Sequence, residues 1–217
     1  MRYYPLQALL AIAVIAVGGT ALAAEYTVNP AGGNFQTVQA AIDAVSDGDI
    51  ITVAPGTYVE NIYFDGKNIV LRSEDPEDPD VVDTTILDGG GVGSVVTFDG
   101  SEDASCELSG FTITNGESGY GAGIYGGVFG SVHSEAIISY CKITENTGAH
   151  GGGLYGCDGR ITNCEISDNT ASTYGGGLAY CDAVICDCVV TENTSAGQGG
   201  GLYDCDGSLY GLSLIHI

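Results

Sequence analysis

The feature that most constrains this chain is a repeat with a step of 24 residues. Three glycines followed by leucine occur at residues 151–154, and the same four residues return at 175–178 and at 199–202. Self-similarity at a fixed short period is the signature of a solenoid, in which each repeat packs only on its neighbours. The repeat therefore predicts a stacked architecture before any other feature is considered.

Further columns of equal residues keep nearly the same step. Three are spaced by 23 or 24 residues: Cys141, Cys164 and Cys188; Cys157, Cys181 and Cys205; Asn146, Asn169 and Asn193. A looser copy occupies residues 111–125, and an insertion near residues 127–135 separates it from the next one. So short a period leaves room for three short strands and three turns, but not for a helix of ten residues or more. Leucine-rich and ankyrin-type repeats are thereby excluded.

These columns predict an all-β fold, a right-handed parallel β-helix solenoid of about 24-residue coils. Coils that stack about 4.8 Å apart place equal residues in register. We expect the cysteines to fill the interior as reduced thiols, with disulfides between coils as the alternative in an exported protein. The asparagines should stack as a ladder, and their acidic neighbours Glu145 and Asp168 should face water.

The first half of the chain fits the same architecture less regularly. Apolar residues from Phe35 to Val45 recur at helical spacing after Asn34, so we predict an amphipathic helix with Asn34 as N-cap. Such a helix could cover the open end of the solenoid as an N-terminal capping helix. Residues 49–53 and 67–71 are predicted strands, and the acidic, proline-containing residues 73–80 are predicted to be a solvated loop.

The two ends of the chain are expected to lie outside the fold. Residues 1–24 have the pattern of a signal peptide, with Arg2, an apolar run and the cleavage signature at residues 21–23. A membrane anchor is the alternative, although the run is short for a bilayer span. Residues 212–217 are similar to a translated sequencing adapter, and a genuine terminal strand is the alternative. We predict a β-helix domain over residues 25–211 that continues beyond this C-terminus.

Two stretches resemble known families. Residues 35–42 and 56–61, the latter reading Gly-Thr-Tyr-Val-Glu-Asn, are similar to the opening of pectin-lyase-like β-helix proteins, and the second also resembles the first pectinesterase motif. The Gly-Gly-Gly-Leu repeats, with the asparagine after Ile143, resemble those of chlamydial polymorphic outer-membrane proteins. The resemblance implies the β-helix fold and is weak for activity, because one fold hosts unrelated functions.

The catalytic residues of these enzymes are not recognisable in the sequence. The pectinesterase pattern requires two downstream aspartates and an arginine in a Gly-Arg-Pro-Trp-like context, and the chain has no tryptophan. Glu60 is therefore interpreted as structural. A lyase requires a lysine or arginine base, and beyond the leader only Lys67, Arg72, Lys142 and Arg160 are present. His133 and His150 have no identifiable nucleophile beside them and are expected to be exposed. Whether the protein is an enzyme stays open.

Two sets of residues are candidate sites. If the leucines after the glycine triplets point inward, the next residues point outward, so Tyr125, Tyr155 and Tyr203 could form a stripe that stacks on sugar rings. High β-propensity of tyrosine is the alternative explanation. Asp158, Asp182 and Asp206 should form a row with carboxylates about 5 Å apart, which could bind Ca²⁺ weakly or be merely solvated. Gly159 and Gly207 could supply carbonyl ligands.

Charge limits the partners. The chain carries 28 acidic and 5 basic side chains, a net charge of −23. Such a surface repels nucleic acid and anionic membranes. The sequence favours a secreted or cell-surface β-helix that presents a sheet for glycan binding or adhesion and is not an integral membrane protein. The alternatives are a fragment of a polysaccharide lyase or hydrolase whose catalytic coils lie further on, and a passive structural stalk.

Overall fold

A computed structural model describes residues 23–128 and 132–215. The predicted leader, apart from its last two residues, and the final two residues of the chain lie outside the described residues. Within these ranges the strands, numbered β1–β25 along the chain, form four sheets, and every pairing between consecutive strands of a sheet is parallel. The all-β solenoid predicted from the repeat is confirmed.

The described strands fall into four sheets, each running along the solenoid. The eight-stranded sheet contains β1 Glu25–Val28, β2 Ile50–Val53, β5 Val70–Ser73, β8 Glu107–Ser109, β12 Ile137–Ser139, β16 Arg160–Thr162, β20 Val184–Cys186 and β24 Leu209–Tyr210. The seven-stranded sheet contains β3 Gly56–Val59, β6 Thr85–Asp88, β9 Thr112–Thr114, β13 Lys142–Thr144, β17 Glu165–Ser167, β21 Val189–Thr191 and β25 Ser213–Ile215. The six-stranded sheet contains β4 Ile62–Tyr63, β7 Val96–Thr97, β11 Ile124–Tyr125, β15 Leu154–Tyr155, β19 Leu178–Ala179 and β23 Leu202–Tyr203. The four-stranded sheet contains β10 Glu117–Tyr120, β14 Thr147–His150, β18 Thr170–Tyr174 and β22 Thr194–Ser195.

The register shows where the repeat governs the fold and where it does not. Leu154, Leu178 and Leu202 pair in one column at offsets of 24 residues. In the first half, Ile50 pairs with Val70, 20 residues on, and Val70 pairs with Glu107, 37 residues on. Inserted loops lengthen these coils without breaking the stack. The prediction of three strands per coil was wrong for the coils from β8 onward, because the four-stranded sheet adds a further strand before each glycine triplet.

The N-terminal helix is shorter than predicted. Helix α1 spans Val38–Ala44, and its N-cap is Thr37, whose side chain accepts from the backbone N–H of Ala40. Asn34 is not the N-cap, because its side-chain oxygen accepts instead from the backbone N–H and hydroxyl of Thr27. The helix buries its apolar face against β1, β2 and β4.

Glu60 has the structural role predicted for it. Its two carboxylate oxygens accept from the backbone N–H groups of Val38 and Gln39, each at 3.0 Å. A carboxylate on the first N–H groups of a helix satisfies donors that have no partner within the helix and interacts favourably with the helix dipole. Glu60 therefore fixes α1 on the first coil.

Two other local predictions require correction. The strand predicted at residues 67–71 begins at Val70, because Lys67 lies in a turn where its N–H donates to the carbonyl of Phe64. The loop predicted at residues 73–80 leads into a second helix, α2 Pro79–Thr84, which starts at the N-cap Asp78. Proline at the first helical position is favourable because its missing N–H has no partner there in any case. Among the described residues, neither helix is long and apolar enough to cross a membrane.

The interior consists of stacked apolar residues and stacked thiols. All eight cysteines lie in the described part of the chain and are free thiols, six of them buried. In the first column, the backbone N–H groups of Cys141 and Cys164 each donate to the sulfur of the next coil's cysteine at 3.5 Å. Burial raises the pKa of Cys164 well above its ordinary value and that of Cys106 to about 12. These thiols therefore act as small apolar fillers.

The asparagine ladder lies at the turn after the seven-stranded sheet. The side-chain oxygen of Asn169 accepts from both the backbone N–H and the side-chain amide of Asn146, at 3.1 and 3.0 Å. Asn193 does the same for Asn169, at 3.0 Å in both bonds. The residues before them, Glu145 and Asp168, are exposed in the left-handed backbone region at φ 57° and 55°. The ladder thus satisfies the backbone where each coil turns sharply.

The last described strand extends the seven-stranded sheet. Ser213, Leu214 and Ile215 of β25 pair with Val189–Thr191 of β21 in the same parallel register as the coils before. This pairing shows that the terminal residues are compatible with the solenoid. Whether residues 212–217 belong to the native protein stays a prediction.

Candidate functional site

The predicted tyrosine stripe lies on the outer face of the six-stranded sheet. Its register aligns one residue from each strand: Tyr63, Thr97, Tyr125, Tyr155, Ala179 and Tyr203. The preceding residue of each strand, such as Leu154, is buried in the interior. The alternation used to predict the stripe is therefore present. Tyr63 also belongs to this column but was missed, because the first-half coils do not carry the glycine triplet.

Tyr155 does not present a free ring, contrary to prediction. Only 1% of Tyr155 is exposed, because rings from neighbouring segments cover it outside the apolar core. Tyr120 packs edge-on against it at 5.1 Å between ring centroids, and Tyr180 lies at 5.5 Å. Burial raises the pKa of Tyr155 to about 12. The residue anchors an aromatic cluster and offers no binding face; Tyr125 and Tyr203 are partly exposed.

A second aromatic column covers the first one. The four-stranded sheet aligns Tyr120, His150 and Tyr174, each of which directly precedes a glycine of a repeat turn. The stripe analysis considered only residues after the glycine triplet, so this column was missed. The signal was present, because an aromatic residue stands before the glycine in three successive repeats and Gln198 stands there in the fourth.

The two columns form one outer cluster, which we call the aromatic corner. Its members are Tyr120, Tyr125, His150, Tyr155, Tyr174, Tyr180 and Tyr203. Rings of successive coils stack: Tyr120 on His150 at 5.1 Å and an interplanar angle of 10°, and Tyr174 on Tyr203 at 4.3 Å and 13°. Such stacking occupies ring faces within the column. A face open to a ligand is therefore expected at the end of a stack.

Tyr120 is that end. It belongs to β10, the edge strand of the four-stranded sheet, and 48% of the residue is exposed. His150 lies beneath its ring, and Tyr155 contacts it edge-on. Tyr120 therefore combines exposure with a fixed orientation.

The glycine triplet brings the two columns together. Gly151 has φ 61°, and a Cβ there would collide with the carbonyl oxygen of Leu154. A Cβ on Gly153 would lie 2.6 Å from the carbonyl oxygen of Gly177 in the next coil. Only glycine allows so tight a turn and so close an approach of stacked backbones. The turn folds the two sheets against each other, so the rings on either side come into contact.

The aspartate row serves first as a hydrogen-bond ladder. Oδ1 of Asp158 accepts from the backbone N–H of Asp182 at 3.0 Å, and Oδ1 of Asp182 accepts from that of Asp206 at 2.9 Å. The carbonyl of Gly159, suggested as a free ligand, already accepts from the N–H of Val184. In the described ranges there is no group of three or more histidine, cysteine or acidic side chains arranged to hold a metal ion. Calcium binding by this row stays a prediction.

The two histidines of the inserted segment and the aromatic corner are not freely exposed, contrary to expectation. Nδ1 of His133 lies 2.9 Å from Oδ2 of Asp158, and its side chain is 13% exposed. His150 is sandwiched between the rings of Tyr120 and Tyr174, at 5.1 and 5.3 Å. Both have structural partners that explain their positions.

A shallow cleft of about 230 Å³ lies where α2 projects over the seven-stranded sheet. Nζ of Lys142 forms an ion pair of 3.0 Å with Asp83 there, and Glu165 also lines the cleft. The hydrogen bond to Asp83 raises the pKa of Lys142, so the amine stays protonated at neutral pH. A lyase base must be able to accept a proton, which makes Lys142 unsuited to that role.

The geometry defines a parallel β-helix with an organised aromatic surface. The chain belongs to the family described as right handed beta helix region, which matches residues 69–210. It is also similar to the crystal structure of the pectin methylesterase from Aspergillus niger, with a TM-score of 0.51 and 17% sequence identity, covering 92% of this chain and 87% of that one. At this identity the likeness shows the fold alone. No curated protein matches the sequence significantly.

Proposed function

We propose that the protein binds carbohydrate chains at the aromatic corner, as an exported or cell-surface binding protein. The observation that carries this proposal is the half-exposed ring of Tyr120 at the end of a fixed aromatic stack. Sugar rings present flat C–H faces that pack on aromatic rings, and a platform that is already ordered loses little entropy on binding. Tyr125 and Tyr203 flank the platform and keep part of the predicted stripe.

Charge selects the class of carbohydrate. The chain carries a net charge of −23, which repels polyuronates and other anionic glycans in the absence of bridging cations. Burial raises the pKa of the Tyr125 phenol, so its hydroxyl stays neutral and able to exchange hydrogen bonds with sugar hydroxyls. We therefore propose neutral oligosaccharides as ligands.

A glycan microarray followed by calorimetry tests the proposal. The array should show binding to neutral chains in preference to uronates, and the best neutral ligand is then titrated against variants. We expect Tyr120→Ala to raise the Kd about tenfold, since loss of one stacking contact is worth about 1.4 kcal/mol. Tyr120→Phe keeps the ring and should bind nearly as well as the unchanged protein.

The matched control is Tyr210→Ala. Tyr210 is 60% exposed but belongs to the eight-stranded sheet, away from the corner. Its replacement should leave the Kd unchanged. Absence of any glycan binding, or equal losses for the Tyr120 and Tyr210 variants, would contradict the proposal. Unfolding curves of each variant separate loss of binding from loss of fold.

A further inference from the structure

The first described residues are bound to the fold through Ala24. Its backbone N–H donates to Oδ1 of Asp49 at 2.9 Å, and its carbonyl accepts from the N–H of Ile50 at 2.9 Å. The next residue, Glu25, begins β1 and pairs with Ile50. Ala24 is thus the last residue before the predicted leader that the solenoid holds on both its donor and its acceptor side.

Asp49 is itself held in place. Its second carboxylate oxygen accepts from the N–H of Ser46 at 2.9 Å, and its own N–H donates to the carbonyl of Ser46 at 3.0 Å. These hydrogen bonds, with that from Ala24, lower the pKa of Asp49, so its carboxylate is ionised at neutral pH. A fixed anion therefore faces the nitrogen of Ala24.

We propose that the leader is cleaved between Ala23 and Ala24, and that the ammonium group released on Ala24 binds the carboxylate of Asp49. The inference rests on the predicted leader and is independent of carbohydrate binding. It moves the predicted boundary by one residue, because cleavage after Ala24 would remove both of its hydrogen bonds. It also agrees with the sequence, since Ala21 and Ala23 provide the small residues that precede a signal-peptide cleavage site.

The chemistry of this step is hydrolysis by a leader peptidase. Water adds across the amide bond between Ala23 and Ala24, so that Ala23 leaves as a carboxylate and Ala24 gains an amine. With an ordinary pKa of about 7.7–8.0, that amine is mostly protonated at neutral pH. A neutral amide donor to Asp49 is thereby converted into a charged one, and hydrogen bonds between charged partners are the stronger kind.

The first test is the mass of the exported protein. The full gene is expressed with its own leader in a bacterium, and the exported chain is analysed by intact mass and N-terminal sequencing. A chain that begins at Ala24 is expected. A chain that begins at Leu22 or Glu25, or one that keeps the leader, overturns the proposal.

The second test isolates the ammonium–carboxylate contact. Chains beginning at Ala24 are prepared with a free or an acetylated terminus, each with and without Asp49→Asn; acetylation removes the charge but keeps an N–H donor. The Asp49→Asn exchange should lower Tm more in the free-terminus chain than in the acetylated one. Equal decreases in both backgrounds would show that Asp49 binds only a neutral N–H and would refute this half of the proposal.

Discussion

Replacement of Asn169 by alanine should destabilise the solenoid strongly. The side chain is completely buried and makes four hydrogen bonds: its oxygen accepts twice from Asn146, and its amide donates to the carbonyl of Ile143 at 2.8 Å and to Asn193 at 3.0 Å. In Asn169→Ala, the backbone N–H of Asn146 and the carbonyl of Ile143 lose these partners in the interior. Each buried group left unsatisfied costs about 1–3 kcal/mol, so we expect a loss of about 2–5 kcal/mol in unfolding free energy.

Urea unfolding monitored by circular dichroism measures this loss. The control is Thr170→Ala, the adjacent exposed residue, whose hydroxyl contacts only that of Thr194 at 3.2 Å among the described hydrogen bonds. The control should change the free energy of unfolding by less than about 0.5 kcal/mol. The m-value must be compared as well, because repeat arrays can lose cooperativity when one coil is weakened. Equal effects of the two variants would refute the view that the ladder holds the coils together.

Three further predictions follow from the same contacts. In the native protein a thiol reagent should react only with Cys186 and Cys205, the two partly exposed cysteines, and slowly, since hydrogen bonding of Cys186 to Asp187 raises its pKa; all eight thiols should react after unfolding, and fewer than eight would reveal disulfides. Glu60→Gln should lower stability by about 1 kcal/mol in urea unfolding, because one oxygen and the charge at the start of α1 are lost; an unchanged midpoint would contradict the anchoring role. If the aspartate row binds Ca²⁺, millimolar Ca²⁺ should raise Tm above its value in chelator or in Mg²⁺; an equal rise with any salt at matched ionic strength would leave only screening.

The sequence predicted the fold because the repeat encodes its own register. Equal residues at a 24-residue step can form continuous columns only if the coils stack in parallel, and the asparagine and cysteine columns do so. Loops inserted in the first half carry no such period, so coil lengths there could not be read. Helix α1 was placed correctly but extended too far, because Asn34 and Thr37 are both acceptable N-caps and only tertiary contacts decide between them.

The candidate site was predicted only in part. Alternation along a strand correctly gave the outward direction of Tyr155, but direction does not determine exposure. The rings that cover it come from the preceding turn of the same repeat and from Tyr180, and their approach depends on the close packing of glycine backbones. For the same reason Tyr120, the residue with the open face, could not be distinguished from other tyrosines without the stacking order of the coils.

Fluorine NMR of protein labelled with 3-fluorotyrosine tests the proposed carbohydrate site most directly. The resonance of Tyr120 is assigned from its absence in Tyr120→Phe, and those of Tyr155 and Tyr210 in the same way. On titration with the neutral oligosaccharide selected by the array, the Tyr120 resonance should shift in a saturable manner, while that of Tyr210 stays unchanged. A saturating titration that shifts no tyrosine of the aromatic corner, or that shifts Tyr210 alone, would contradict the account.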